Sequence, residues 1–297
     1  VIYAKLLGVA LLWAGTFIAG KYAAPQLPHF TLAALRFWCA AAMLVPALLW
    51  TEKRLPRLSP RTLALTAVVA LFGLFAYNLF FFGALELIPA GRTALVVALN
   101  PILTAVAMAL VFRERIAGYR WIGIVLALVG VWIVISKGEP WMILQRIGPG
   151  ELLMFGGAAS WATYTIASRF VLTASDAPSP LAATTLVSVW GALMLSVGMP
   201  FEWSDWSFAQ VAPGVWATIL YFGAGGTALA FVWYNDGVRQ LGASRTSVFN
   251  NMVPVFGVLL ATLILGEPLL ASMVVGGLVA LAGVSLTNWQ RPGARAP

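Results

Sequence analysis

The feature that most constrains this chain is a skeleton it carries twice. Arg92 and Arg245, Thr93 and Thr246, Pro101 and Pro254, Glu114 and Glu267, Gly123 and Gly276, and Gly130 and Gly283 are pairs at one spacing, 153 residues, without a gap. Each copy reads as two apolar helices joined by a tight turn that holds the glutamate. The first helix carries a central proline and the second is studded with glycine. Internal repetition of this kind fixes the architecture before any local assignment. A second spacing, 148 residues, links Gly8 with Gly156, Trp13 with Trp161 and Lys21 with Arg169, and so extends the repeat to the helices that open each half.

Composition names the solvent. The 297 residues are 61% apolar and 9% charged, with a mean hydropathy of +0.90. A soluble surface of the usual kind needs roughly a quarter to a third of charged residues. With about 20 apolar residues per transmembrane helix, the length accommodates ten spans, expected at residues 3–22, 30–50, 62–85, 92–112, 117–136, 151–171, 180–199, 212–235, 245–265 and 269–289. The expected fold is an all-α integral membrane protein of ten transmembrane helices. It divides into a first repeat over 1–136, an inter-repeat loop over 137–150, a second repeat over 151–289 and a tail over 290–297. The first apolar run continues into a span with its own partner in the second half, unlike a cleaved signal peptide.

Charge placement gives the expected orientation. With the N-terminus inside, thirteen of the eighteen Lys and Arg residues fall in inner loops and tails and four in outer loops, leaving Arg36 within span two. The positive-inside rule then places both termini in the cytoplasm and the chain in the cell's inner membrane. The net charge of +8 is explained by this distribution, with no call for nucleic acid. Five spans per copy is an odd number, so the copies are expected to cross the membrane in opposite senses. Arg113 and Arg115 flank Glu114, whereas the turn around Glu267 has no cation, as an inverted repeat requires. Inverted repeats enclosing a midplane site are an architecture of secondary transporters.

Polar groups at membrane depth are the candidate site. Pro101 and Pro254 lie near the centres of spans four and nine, each removing a backbone donor, and serve as candidate helix hinges. Asn100 lies beside the first, Asn250 and Asn251 beside the second. One reading is a kinked helix whose amide bonds the freed carbonyl; the other is a cavity wall that meets the charged groups of a small zwitterion. Trp13 and Trp161 sit too deep for the interfacial belt, and either stack on a substrate or pack the core. Tyr77 and Asn78, Thr163 and Tyr164, and Tyr234 and Asn235 add hydrogen-bonding capacity, for a cavity or for contacts between helices. Arg36, about two turns inside its span, either snorkels outward or attracts a substrate carboxylate. The glycine-rich faces of spans five and ten, Gly123 with Ala127 and Gly276 with Ala280, are expected to be scaffold, and also leave a weak homodimer open beside the monomer.

What is absent narrows the function. All ten carboxylates fall in loops or within about a turn of a span end, whereas proton-coupled carriers commonly keep an acid inside the membrane. The one cysteine, Cys39, and the one histidine, His29, offer neither a disulfide nor a metal set. No acid pair, nucleophile with a base, or phosphate-binding loop is evident, so no enzyme, cofactor or metal is expected.

These residues resemble the EamA family of the drug/metabolite transporter superfamily over almost the whole chain. The carriers are LLWAGTFIAGKYA at Leu11 to Ala23, LRFW at Leu35 to Trp38, the proline-to-glutamate helix ending FRERI at Phe112 to Ile116 with the Gly-rich helix after it, and LGEPL at Leu265 to Leu269. The resemblance implies ten helices, a central cavity between the halves, and export of amino acids or related metabolites by alternating access. Similar exporters of aromatic amino acids place tyrosine, tryptophan and asparagine in the cavity helices. The expected partners are therefore a small-molecule substrate and lipid, with export of other metabolites or drugs, and more remotely an intramembrane enzyme, as the alternatives.

Overall fold

The computed structural model describes residues 1–53, 56–112, 118–137, 139, 147–204, 206–207, 209–241 and 248–287. Among these the chain is helical throughout, with no strand. Helices long and apolar enough to cross a membrane are Ile2–Ala23, His29–Glu52, Pro60–Leu87, Gly118–Ser136, Pro180–Glu202 and Pro213–Tyr234, with shorter apolar helices over Ala90–Thr104, Phe249–Leu265 and Ala271–Thr287. This is the make-up of a multi-pass membrane protein. The turn around Glu114, the inter-repeat loop apart from its ends, residues 242–247 and the tail lie outside the described residues, as do the side chains of Pro101, Arg169 and Asn235.

In chain order the helices are α1 (Ile2–Ala23), α2 (His29–Glu52), α3 (Pro60–Ala70), α4 (Tyr77–Leu87), α5 (Ala90–Val97), α6 (Asn100–Phe112), α7 (Gly118–Ser136), α8 (Pro149–Leu172), α9 (Pro180–Gly198), α10 (Pro213–Leu220), α11 (Ala230–Leu241), α12 (Met252–Leu265) and α13 (Ala271–Thr287). Several starts follow from local chemistry. Ser59 and Ser179 each precede a proline, and their hydroxyls accept from Thr62 N at 3.2 Å and Ala182 N at 3.0 Å. Each cap satisfies one orphan donor and stabilises its helix by about 1 kcal/mol. Pro213 opens α10 in the same permissive position.

Two spans are not plain α-helix. α3 and α4 are joined by a π-helical segment, Leu71–Ala76, and α10 and α11 by another, Tyr221–Leu229. Phe72–Gly73 and Phe222–Gly223 stand 150 residues apart within them, by subtraction of the residue numbers. The wider π turn leaves carbonyls without their usual i+4 partner, and side chains take them up. Asn78 Nδ2 donates to Leu74 O at 2.7 Å, Thr227 Oγ1 to Phe222 O at 2.9 Å and Trp13 Nε1 to Gly226 O at 3.1 Å.

The fourth span also departs from the sequence expectation of one helix kinked at its centre. α5 ends at Val97, a turn at Ala98 and Leu99 closes with bonds to Leu95 O (3.2 Å) and Val96 O (3.0 Å), and α6 begins at Asn100. Pro101 is thus the second residue of a new helix. A proline ring clashes with the carbonyl four residues back, so the break falls one turn ahead of it. Pro254, correspondingly, is the third residue of α12, which follows a 3₁₀ turn at Val248–Asn251.

The tightest helix pair is α7 against α13. A Cβ added to Gly130 would lie 2.3 Å from Ala280 N, one on Gly283 2.3 Å from Ala127 N, and one on Gly276 2.5 Å from Gly130 O. The backbones touch because these positions carry no side chain, and in lipid such contact is what holds helices together.

The two ends of the bundle are tied by charge. At one, Glu267 reaches the first turn of α5, accepting from Ala90 N at 2.7 Å and Gly91 N at 3.0 Å. Gly266, at φ 67, supplies the left-handed bend that aims it there. Glu202 accepts from Phe30 N and Thr31 N at the start of α2, at 3.0 and 2.8 Å. Arg92 Nε pairs with Glu151 at 2.9 Å, His29 with Glu86 at 3.2 Å, and Lys21 Nζ donates to Leu85 O (2.6 Å) and Ile88 O (3.0 Å) at the end of α4. At the opposite end Lys5 pairs with Asp236 at 2.7 Å, Asp176 accepts from Ser59 N and Thr62 Oγ1, both at 2.5 Å, and Glu52 accepts from Ser179 Oγ. Its bonds from Ser59 and Thr62 hold the Asp176 carboxyl down to about 2.

Candidate functional site

Between the two ends lies a cavity of about 510 Å³, within the roughly 300–1,000 Å³ usual for small-molecule sites. It is built by residues from both halves of the chain. Of the residues singled out in the sequence, Trp13, Arg36, Tyr77, Asn100, Trp161, Tyr164, Tyr234, Asn250, Asn251 and Pro254 line it.

The two deep tryptophans are placed crosswise. Trp13, in α1, meets Tyr234 of α11 at 5.4 Å between ring centroids and Phe231 at 5.6 Å. Trp161, in α8, meets Tyr77 of α4 at 5.2 Å and its own helix's Tyr164 at 4.9 Å. Each half's tryptophan therefore packs on a tyrosine of the other half. Trp13 has its indole N–H fixed on Gly226 O, which sets the ring's orientation before any solute arrives.

Arg36 supplies the charge. Its guanidinium is held 4.9 Å from the ring centroid of Phe222 and 5.2 Å from that of Phe37, and Nη1 donates to Asn78 Oδ1 at 3.0 Å. Asn78 is not itself part of the cavity wall. It is buried behind Arg36, and because its Nδ2 is committed to Leu74 O its carbonyl end faces the cation, the one arrangement an amide can offer a guanidinium. Of the two uses the sequence leaves open for Asn78, a cavity or a contact between helices, the structure shows the contact, a brace on Arg36 held in place by Leu74 of the π segment. Nε of Arg36 and Oδ1 of Asn100 are buried and without partners. No Asp or Glu lines the cavity among the described residues.

Some lining residues escaped the sequence reading. Thr16 and Thr165 sit one turn after Trp13 and Trp161 and bond to their carbonyls at 2.5 and 2.9 Å. Their signal was available, since a residue three or four positions from a cavity tryptophan shares its helix face. Thr104, Phe17, Phe81 and Phe231 complete the polar and aromatic wall. Thr163 is not in it and bonds to Ala159 O of its own helix at 3.0 Å.

The arrangement offers flat apolar faces, hydroxyls, amides and one cation in a space that spans both halves. Among the described residues, no acid stands in its lining.

Several known proteins are similar to the chain over most of its length. The sequence is 31% identical over 285 residues to the uncharacterized transporter YyaM of Bacillus subtilis (strain 168), covering 95% of this chain and 92% of that protein. It is 29% identical over 287 residues to a probable amino-acid metabolite efflux pump of Salmonella typhimurium (93% and 91% covered). It is 26% identical over 251 residues to the aromatic amino acid exporter YddG of Ancylobacter novellus (84% of each). A solved crystal structure shares the fold over 96% of both chains, with a TM-score of 0.64 at 19% identity. The profile of the EamA-like transporter family matches twice, over residues 2–136 and over residues 148–289. The chain belongs to the EamA-like transporter family.

Proposed function

We propose that this chain is a secondary transporter that exports amino acids, of broad range and including aromatic ones, across the inner membrane by alternating access. In this reading ten spans form two inverted five-helix repeats, 1–136 and 151–289, joined by 137–150 and followed by a cytoplasmic tail at 290–297, with the N-terminus also inside. The observation that carries it is the crosswise seating of Trp13 on Tyr234 and of Trp161 on Tyr77. Rocking of one half on the other changes both pairs at once, so the walls that hold an apolar side chain are also the walls that move. Support for the substrate class comes from the relatives in Salmonella typhimurium and Ancylobacter novellus, named as an amino-acid metabolite efflux pump and an aromatic amino acid exporter.

Each site residue has a role. The faces of Trp13, Trp161, Tyr77, Tyr164 and Tyr234 receive the side chain, Asn100, Asn250 and Asn251 bond the polar backbone atoms, and Arg36, braced by Asn78, receives the carboxylate. Pro101 and Pro254, each just inside a helix that follows a break, are the hinges. Among the described residues no Asp or Glu lines the cavity, so none there is placed to carry a proton with the solute.

Flux of labelled phenylalanine, leucine and serine through proteoliposomes tests the function. Movement of at least one above protein-free vesicles is expected; no movement of any rejects the substrate class. Asn100→Leu, Asn251→Leu, Trp13→Ala and Trp161→Ala should each reorder the ranking, and an unchanged order in all four removes them from the site. For the inverted topology, Arg115→Cys and Leu269→Cys in a Cys39→Ala background should react with an impermeant thiol reagent from opposite sides. Labelling of both from one side refutes it.

A further inference from the structure

The charge distribution around the cavity points past the free amino acids to a substrate class of its own, an inference that rests on the transport reading above. Arg36 is a permanent cation in a wall otherwise built of aromatic, amide, hydroxyl and aliphatic groups. Its partners are one neutral amide oxygen at 3.0 Å and the faces of two phenylalanines, and its Nε has none. An uncompensated charge in such a place is unfavourable, and an entering carboxylate offsets that cost. The carboxylates described above are engaged at the two ends of the bundle, and none faces the cavity among the described residues.

A zwitterion brings a second charge. Its ammonium has three donors to place and, among the described residues, meets only ring faces and neutral oxygens in the wall. A secondary amide has a single uncharged N–H, which one neutral oxygen of such a wall satisfies. We infer that the cavity takes monoanionic carboxylates with an apolar side chain, N-acyl amino acids foremost and 2-oxo acids with them, at least as well as it takes the free amino acids, and excludes amines that lack the carboxylate. Arg36 is the residue that sets this preference. Aromatic faces attract an ammonium, which is why free amino acids remain substrates, but a face does not replace a counter-ion.

The test is counterflow at pH 7.4 in proteoliposomes, with protein-free vesicles subtracted, of labelled L-phenylalanine, N-acetyl-L-phenylalanine, phenylpyruvate and phenethylamine. The four share one aromatic side chain and differ in the groups beside it, as a zwitterion, two monoanions and a cation without a carboxylate. N-acetyl-L-phenylalanine is expected to move at a rate equal to or above that of phenylalanine, phenylpyruvate close behind, and phenethylamine at less than a tenth. Arg36→Gln is expected to lower both monoanions at least tenfold and erase the order, while Arg36→Lys retains it in part. Phenylalanine flux with neither monoanion moving overturns this inference and leaves the transport reading standing. No flux of any of the four overturns both. If Arg36→Gln does not fold, the wild-type ranking alone decides, since phenethylamine moving as fast as the carboxylates refutes the preference without any variant.

Discussion

The α7–α13 pair and the α2–α9 pair are both long helix contacts between the halves, yet they treat the repeated sequence differently. In the first, Gly123 and Gly276 and Gly130 and Gly283 hold corresponding positions, and the backbones meet on them. In the second, α2 carries Arg36 at the cavity, while α9 has no charged residue at all. The difference teaches where each half is free to diverge. A seam of touching backbones admits no new atom on either side, whereas a cavity wall gains by holding its charge once, since a second cation opposite the first would add repulsion to an already costly burial.

The largest expected effect tests the seam. Gly130→Leu places a side chain into the Ala280 backbone, 2.3 Å from the new Cβ, and should abolish monodisperse protein on size-exclusion chromatography. Gly277→Ala, one residue off the seam, meets only Leu95 Cδ2 at 3.2 Å and should leave the profile intact. Equal yields for both would dissolve the distinction. Next comes the wall. Trp161→Ala removes ring contacts to Tyr77 and Tyr164, each contributing about 0.5–1.5 kcal/mol, and should slow aromatic substrates roughly tenfold while sparing serine. Trp13→Ala should behave alike if the crosswise pairs are equivalent, and a divergence between the two measures how far the halves have parted.

Smaller effects belong to the ends. Glu267→Gln exchanges charge-assisted bonds to Ala90 and Gly91 for a single neutral acceptor, costs about 1–2 kcal/mol, and should lower Tm by several degrees. The smallest concerns Asp176, whose carboxyl is held down to about 2, below the roughly 3.9 of an unfolded chain. A depressed carboxyl stabilises the fold above its unfolded value and ceases to do so as pH falls through the folded one. Tm should therefore decline between pH 4 and 2 by this route, and Asp176→Asn should flatten that decline while changing Tm little at pH 7, as suits an exposed group.

Much of this was readable in the residues, because a bilayer demands unbroken apolar runs and the repeat supplied a second reading of each. Six of the expected spans coincide with helices long and apolar enough to cross a membrane, and Trp13, Trp161 and Arg36 were set apart by depth alone. The π segments did not emerge, since apolar periodicity does not report which carbonyl a backbone N–H selects, and with them went the bracing role of Asn78. Nor did the sequence signal the reach of Glu267. A glutamate after a glycine reads as a loop residue, and only the fold brings the start of α5, 177 positions away, within a hydrogen bond.

That reach has an evolutionary corollary. The donors that receive Glu267 at Ala90 and Gly91 are peptide N–H groups, which every amino acid except proline possesses, so the clasp does not inspect which side chain stands at position 90. Packing limits what stands at position 90, because Ala90 is buried in the core, but the clasp itself excludes only proline, so a covariation search would find no correspondent for Glu267 even though it fastens one half of the protein to the other.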